Sequence, residues 1–293
     1  MKNWMLAIRP KTLFASLAPV VLGLAVAYVE IKSINVLIAV LTALCALTLQ
    51  IASNLANDYL DALRGVDNDT RLGPTRVTSS GLISLTKMKN ALILTLGIAF
   101  LLGIYLMYVG GPVIMVIALL SLYFAYGYTG GPFPLSYNGL GEVAAFIFFG
   151  VIAVSGTTYL QTHEISKLAL ISGMGPGFIS ACILAVNNLR DIISDRETNK
   201  RTLAVRFGEK FQRALCMSTI LLSTLVCLYL MVAYHLKWIF PVLFLPLFFH
   251  KTWLQILYHP IDSKLNMALA RTAQYNLLYC LLAAIGMVVS FNL

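Results

Sequence analysis

Charged side chains are scarce in this sequence. Only 11% of its 293 residues are Asp, Glu, Lys or Arg, whereas 59% are hydrophobic and the mean hydropathy is +0.83. This composition excludes an ordinary soluble domain and indicates a polytopic membrane protein. There is no basic helix and no patch of bases interleaved with aromatic residues, so we expect no nucleic acid among the partners of this protein.

Cysteine is also rare, and its five occurrences have no metal-binding spacing. All five fall inside long apolar runs: Cys45, Cys182, Cys216, Cys227 and Cys280. We therefore predict that they pack as small apolar side chains and form neither disulfides nor a metal site.

Long apolar runs make up most of the chain. A membrane-spanning helix needs about 20 apolar residues. Nine runs reach roughly this length: 12–30, 34–57, 90–108, 112–130, 142–160, 168–188, 212–234, 238–257 and 269–291. Because a helix satisfies its own backbone hydrogen bonds in lipid, they predict an all-α fold with nine transmembrane helices. No linker interrupts the runs, so residues 1–293 are predicted to form one domain.

The bases predict the orientation of the chain in its membrane. With the N-terminus in the cytoplasm, every Lys and Arg except Lys32, Lys167 and Lys237 lies on the cytoplasmic side. Basic residues are normally concentrated on that side. We therefore expect the loops at about 58–89 and 189–211 to be cytoplasmic and the C-terminus to be extracytoplasmic.

The few acids are concentrated in two places. Eight of the twelve lie within 58–69 and 191–209, each stretch at the end of an apolar run. The first cluster has helical i, i+3, i+4, i+7 spacing and consists of Asn54, Asn57, Asp58 and Asp61. The second consists of Asn187, Asn188, Asp191 and Asp195. A polar stripe on an apolar helix must face the bundle interior, and oxygen ligands of this kind suit Mg²⁺.

The two clusters form a weak internal repeat, N-[D/N]-x-x-D at 57–61 and 187–191, four spans apart. An even offset gives both copies the same orientation, so a pseudo-two-fold bundle would place them face to face across a central cavity. Two other interpretations stay open. The acids could pair with neighbouring bases to keep loops soluble, or they could line the ion pathway of a transporter.

Bases follow both clusters closely, as a diphosphate site would require. We predict that Arg71, Lys200 and Arg201 contact a diphosphate, together with Asn188. Any single base could instead serve only to set the orientation of the chain in the membrane. The lone Glu142 could be an acid at a helix N-terminus or a cavity acid, and the sequence does not decide between them.

These motifs resemble those of the UbiA superfamily of intramembrane aromatic prenyltransferases, N-D-x-x-D-x-x-x-D and D-x-x-x-D. Asp58 and Asp61 match the first motif, and Asp191 and Asp195 match the second; Gly65 replaces the last acid of the first motif, with an aspartate two residues later. Three further segments are similar to the branch that acts on 1,4-dihydroxy-2-naphthoate: A-I-R-P-K-T-L at 7–13, R-L-G-P-T-R at 71–76 and K-R-T-L-A-V-R at 200–206.

The resemblance implies nine transmembrane helices around a central cavity, with a cytoplasmic cap made by the two motif loops, in the bacterial cytoplasmic membrane. It also implies Mg²⁺ ions bridging a polyprenyl diphosphate. One would be held by Asp58 and Asp61 and another by Asp191 and Asp195, with Asn54 and Asn57 completing the shell. In this branch the isoprenyl chain passes to 1,4-dihydroxy-2-naphthoate, with loss of CO₂ and pyrophosphate, to give demethylmenaquinol.

The aromatic substrate has three candidate contacts. Arg9 and Lys11 could bind its carboxylate, or could equally be bases that only set the membrane orientation. Tyr128 could face the cavity or belong to the aromatic belt at the membrane interface. The alternative function is transfer to another acceptor, 4-hydroxybenzoate or homogentisate. Prenyl chain length and oligomeric state do not follow from the sequence.

Overall fold

The computed structural model describes residues 2–65, 72–74 and 76–293, with Lys11 described by its backbone alone. Within these ranges the chain is helical and contains no strand, which confirms the all-α fold. The α-helices are α1 (Lys2–Ile8), α2 (Pro10–Ile31), α3 (Val36–Leu63), α4 (Leu85–Gly127), α5 (Gly141–Phe146), α6 (Ala153–Thr162), α7 (Lys167–Arg190), α8 (Ile192–Glu197), α9 (Leu203–Ala233), α10 (Pro241–Phe248), α11 (His250–Tyr258) and α12 (Leu265–Asn292). A π-helical stretch, Ile147–Ile152, joins α5 to α6.

Seven helical segments of the described chain are long and apolar enough to cross a membrane, and the bent pair α10–α11 makes eight. The segments are α2, α3, α4, the α5–α6 unit, α7, α9 and α12. A straight helix of 43 residues such as α4 would extend about 64 Å, twice the hydrocarbon thickness. If α4 is divided at its internal break, the described residues contain nine spans, consistent with the predicted number.

The break in α4 is set by two residues. Gly111 has φ 62° and ψ −153°, a conformation that side chains disfavour, and Pro112 has no N–H to continue the helical hydrogen bonds. The third and fourth apolar runs predicted from the sequence end at 108 and begin at 112, so this break falls at the boundary between them. Here the local chemistry of two residues is sufficient to end a span.

The centre of the bundle is α7, which is the most enclosed of the spans, whereas α3 and α4 present apolar side chains outwards. Glycines bring α7 against the π-helical stretch: a Cβ on Gly150 would lie 2.2 Å from the Cα of Gly177. Backbones can approach so closely only where both residues are small. This contact fixes the α5–α6 unit, and therefore Glu142 in α5, beside α7.

Several helix ends meet at one end of the bundle. Asn54 of α3 donates to the carbonyl of Ile8 at the end of α1, and Asn188 of α7 bonds Glu142 at the start of α5. Arg190, at the end of α7, bonds Asn266 at the start of α12. This end therefore collects the residues of both motifs. Its cytoplasmic location, the central cavity and the single-domain organisation stay predictions.

Candidate active site

The four aspartates of the two motifs are buried at this end of the bundle. Asp58 and Asp61 lie in the last two turns of α3, whereas Asp191 joins α7 to α8 and Asp195 lies within α8. Each is between 1% and 6% exposed. Because a buried carboxylate is costly without compensating partners, the groups around these four determine what the site can do.

The first pair is held by the segment that follows α3. Asp58 Oδ1 accepts a hydrogen bond from the backbone N–H of Thr78 at 3.1 Å. Asp61 Oδ2 forms a buried ion pair with Arg76 Nη2 at 2.7 Å. Arg76 and Thr78 therefore lie against the helix that carries the acids, and Arg76 brings a base to them.

The second pair is held by residues close to it in sequence. The guanidinium of Arg190 binds Asp191 through two bonds, Nε to Oδ1 at 2.7 Å and Nη2 to Oδ2 at 2.5 Å. The same group donates to Asn187 Oδ1 at 2.8 Å and to Asn266 Oδ1 at 2.7 Å. Lys200 Nζ lies 3.4 Å from Asp195 Oδ1. A bidentate guanidinium orients Asp191 as well as neutralising it.

The two pairs act on one another electrostatically. The pKa of Asp195 is raised to about 6, chiefly by burial and in part by the charges of Asp191 and Asp61, although Lys200 acts to lower it. Burial alone would lower the pKa of Lys200, but the charges of Asp195, Asp61 and Asp191 outweigh this and hold it above its ordinary value. Asp61 of the first motif is therefore close enough to influence Asp195 and Lys200 of the second.

Asp195 Oδ2 provides a test of whether a cation fits here. This atom is buried and has no hydrogen-bond partner among the described residues. An oxygen of this kind, within electrostatic range of Asp191 and Asp61, suits Mg²⁺, which binds one or two carboxylates and completes its shell with water and phosphate. Within the described ranges no three His, Cys, Asp or Glu residues converge on one point, so the oxygen donors form two pairs instead of one cluster.

Comparison with known proteins identifies the family. A model of the UbiA prenyltransferase family matches residues 16–278. The chain belongs to this family. It is similar to the 1,4-dihydroxy-2-naphthoate octaprenyltransferase of Escherichia coli (strain K12), with 38% identity over 248 residues, covering 83% of this chain and 80% of that one. The Bacillus subtilis (strain 168) protein of the same name is 30% identical over 298 residues, covering 98% and 92%.

Solved structures support the UbiA fold. A UbiA homolog from Archaeoglobus fulgidus bound to DMAPP and Mg²⁺ superposes with a TM-score of 0.72 at 13% identity, covering 98% of this chain and 99% of that one. The digeranylgeranylglyceryl phosphate synthase structure gives a TM-score of 0.60 at 16% identity. At these identities the likeness concerns the fold alone. The predicted family and fold class are confirmed.

The asparagines predicted to complete the metal shell of this UbiA-family chain have protein partners. Asn54 Nδ2 donates to Ile8 O at 2.8 Å and to Thr12 Oγ1 at 3.0 Å, and its Oδ1 accepts from Gln50. Asn57 Oδ1 accepts from the hydroxyl of Thr129. These contacts tie α3 to its neighbours, and the metal-binding role of both asparagines stays a prediction.

The predicted diphosphate contacts lie in different environments. Lys200 is part of the buried site, whereas the side chain of Arg201 is exposed and its backbone N–H donates to Tyr137 O at 3.2 Å. Asn188 is buried and donates to Glu142. Arg71 lies outside the described residues.

The predicted contacts to the aromatic substrate lie near the same end. Arg9 joins α1 to α2 in a left-handed conformation, φ 54°, beside the carbonyl that Asn54 binds. Of Lys11 only the backbone is described. Tyr128 follows α4, and its pKa is raised by burial and then by the charges of Glu142, Asp195 and Asp61. Tyr128 is therefore adjacent to the acidic site.

Sequence reasoning did not assign three residues that the structure places in the site. Arg76 and Arg190 neutralise acids of the two motifs, and Asn266 bridges Arg190 to the carbonyl of Leu72, to which its Nδ2 donates at 2.8 Å. Arg190 directly precedes Asp191, and Arg76 ends the R-x-G-P-x-R segment, so the position of each beside a motif could have suggested a role in the site. No such pattern pointed to Asn266, because it lies near no motif.

Proposed function

We propose that this chain transfers an isoprenyl chain from a polyprenyl diphosphate to 1,4-dihydroxy-2-naphthoate, with loss of CO₂ and pyrophosphate, forming demethylmenaquinol. One observation carries the proposal: two pairs of buried aspartates at one end of the bundle, interleaved with Arg76, Arg190 and Lys200. Acids that suit a divalent cation, beside bases that suit phosphate oxygens, are what a diphosphate requires. The naphthoate acceptor is supported by the names of the curated relatives.

Asp58, Asp61, Asp191 and Asp195 would hold Mg²⁺ in this proposal. The UbiA homolog bound to DMAPP and Mg²⁺ supports a divalent cation in this fold, and the unpaired Oδ2 of Asp195 supports it in this chain. Bound Mg²⁺ would neutralise the diphosphate and so ease its departure.

The three bases would then exchange partners. In the structure Arg76, Arg190 and Lys200 each face an aspartate. With cations held by the aspartates, these bases would be able to contact phosphate oxygens instead, to which a guanidinium can bind in a bidentate manner. Because the pairs are buried, the attraction to the leaving group is stronger than it would be in water.

The apolar bundle protects the reactive allylic carbon from water. The ring of the acceptor would enter beside Tyr128, which borders both the acids and α5. Arg9 and Lys11 stay candidates for the carboxylate of the acceptor, and Arg71 and Asn188 stay candidates for the diphosphate. The exposed side chain of Arg201 is expected to contribute much less to diphosphate binding than Lys200 does. We place the site end in the cytoplasm of a bacterial cell, with the N-terminus on the same side and the C-terminus outside.

Incubation of the purified protein with Mg²⁺, octaprenyl diphosphate and 1,4-dihydroxy-2-naphthoate tests this proposal. We expect pyrophosphate release and a prenylated, decarboxylated quinol by mass spectrometry. Parallel reactions contain 4-hydroxybenzoate or homogentisate as the acceptor. A prenylated product from either of these alone would contradict the assigned acceptor, and no product from any acceptor would contradict the activity. The transporter alternative predicts no pyrophosphate in any reaction.

A further inference from the structure

Glu142 is a buried acid outside the two acidic motifs. It stands in the first turn of α5 and is only 4% exposed. Its Oε1 accepts two hydrogen bonds, from Asn188 Nδ2 at 2.9 Å and from Gln212 Nε2 at 2.8 Å. Its Oε2 is buried without a hydrogen-bond partner in the described part of the chain. Because an unpaired buried carboxylate oxygen is costly, this atom needs a donor from elsewhere.

Glu142 borders the acidic site on the side of the bundle interior. Its partner Asn188 lies nearly one helical turn before Asp191, deeper along α7. Tyr128 connects the two places, since a Cβ on Gly141 would lie 2.9 Å from its hydroxyl oxygen. Glu142 and the two acids Asp195 and Asp61 all act on that hydroxyl electrostatically. An aromatic ring beside Tyr128 would therefore lie between the diphosphate and Glu142.

The aromatic acceptor carries the donor that Oε2 lacks. In 1,4-dihydroxy-2-naphthoate a ring hydroxyl is adjacent to the carbon that bears the carboxylate. When that carbon bonds to an allylic carbon, the neighbouring oxygen becomes a carbonyl and its proton must leave. A carboxylate whose other oxygen is held by two amides is pre-oriented to accept such a proton.

We propose, on the basis of the proposed function, that Glu142 binds the ring hydroxyl of the acceptor through Oε2 and takes its proton during transfer. The new bond joins the carboxylate-bearing ring carbon to the allylic carbon, while the allylic C–O bond breaks and its electron pair leaves with pyrophosphate. The carboxylate then departs as CO₂. The electron pair of that C–C bond restores the aromatic ring, and Glu142 returns the proton to the ring oxygen. No oxidant or reductant is consumed.

A purely structural role has to be distinguished from this one, because Glu142 also joins α5 to α7 and α9. Glu142→Gln keeps the size of the side chain but cannot take a proton, whereas Glu142→Asp keeps the acid. For Glu142→Gln we expect kcat to fall about 100-fold or more, with KM for prenyl diphosphate unchanged within about twofold. Glu142→Asp should recover part of the lost kcat.

The pH profile provides the second readout. As the hydroxyl of the acceptor ionises in solution, kcat of Glu142→Gln should rise about tenfold per pH unit, whereas that of the unmodified protein should not. The groups facing Glu142 are Tyr128 from the end of α4, Asn188 from α7, and Gln212 and Cys216 from α9. Arg213, beside Gln212, is bound to Glu209 and to backbone carbonyls. These groups are common to all variants, so their titration cancels in the comparison.

The remaining outcomes have defined meanings. A Glu142→Gln protein whose kcat is within threefold of the unmodified protein would overturn the inference. A loss of kcat accompanied by a lower melting temperature and an unchanged pH profile would also overturn it. Glu142 would then serve only to hold α5 against α7 and α9. If Glu142→Gln does not fold, Glu142→Asp decides: reduced kcat at unchanged KM for prenyl diphosphate supports the inference, and unchanged kcat overturns it. Failure of the unmodified protein to prenylate naphthoate would contradict the proposed function itself.

Discussion

The two acidic motifs resemble each other in sequence but are held in different ways. Asp58 and Asp61 depend on a segment 15 to 20 residues further along the chain, through Arg76 and the N–H of Thr78. Asp191 is bound by the adjacent Arg190, and Asp195 by Lys200, five residues away. The second motif is therefore a local structure on α7 and α8, whereas the first is complete only when Arg76 and Thr78 lie against α3. We infer that the geometry of the first motif depends on where this segment lies.

The largest expected effect comes from removing a carboxylate of either motif. Asp58→Asn and Asp191→Asn should each lower the rate of prenyl transfer at least about 1000-fold. Each variant removes a negative charge that, in the proposal, helps to hold Mg²⁺. Insertion and folding should be retained, as checked by gel filtration in detergent. Nearly full turnover by either variant, or by the unmodified protein in EDTA, would contradict the metal assignment. A much smaller effect for Asp58→Asn alone would show that the first motif is dispensable.

An intermediate effect is expected within the second motif, where two neighbouring bases differ in burial. Lys200→Met should raise KM for prenyl diphosphate about 10- to 100-fold, because the loss of one hydrogen bond to a charged group weakens binding by about that factor. The side chain of Arg201 is exposed. Arg201→Met, the matched control, should therefore change KM less than about threefold. The reverse order would show that Arg201 moves into the site when substrate binds.

The smallest effect is expected at Asn266, which joins the two motifs. Its Oδ1 accepts from Arg190 and its Nδ2 donates to Leu72 O. Asn266→Asp keeps an acceptor for Arg190 but loses the donor, so only the first loop should loosen. We expect about a fivefold rise in KM for prenyl diphosphate, as for loss of one hydrogen bond, with faster hydrogen exchange at Thr78.

Ser290→Ala serves as the control for Asn266→Asp, because Ser290 accepts a hydrogen bond from the Trp238 N–H, near the C-terminal end of α12. It should leave both the KM and the exchange rate unchanged. If Asn266→Asp had no effect on exchange at Thr78, the first loop would not depend on α12. The contrast between a local second motif and a loop-dependent first motif would then need another explanation.

The arrangement of the acids was predictable because it depends on the local order of residues in the chain, whereas their role in binding metal stays a prediction. Asp58 and Asp61, three residues apart on α3, share one helical face, and Asp195 lies one turn beyond Asp191 on α8. Helical periodicity converts such spacing directly into a shared face. The partners of these acids were harder to choose. Four bases follow the motifs closely, and the sequence gives no reason to prefer one of them: Arg71, Arg76, Lys200 and Arg201. In the structure Arg76 and Lys200 are enclosed beside aspartates, whereas the side chain of Arg201 is exposed.

The sequence by itself determined the long apolar runs, a span boundary between residues 108 and 112, and the polar stripes that identify a UbiA-family chain. Each depends on composition or on residues a few positions apart, where backbone geometry and hydrocarbon thickness leave little choice. Only the tertiary structure decided that Asn266 meets a carbonyl 194 residues away, and that Glu142 is bound by Asn188 and Gln212 from two other helices. Contacts of this kind depend on how whole helices pack, and no short-range pattern records them.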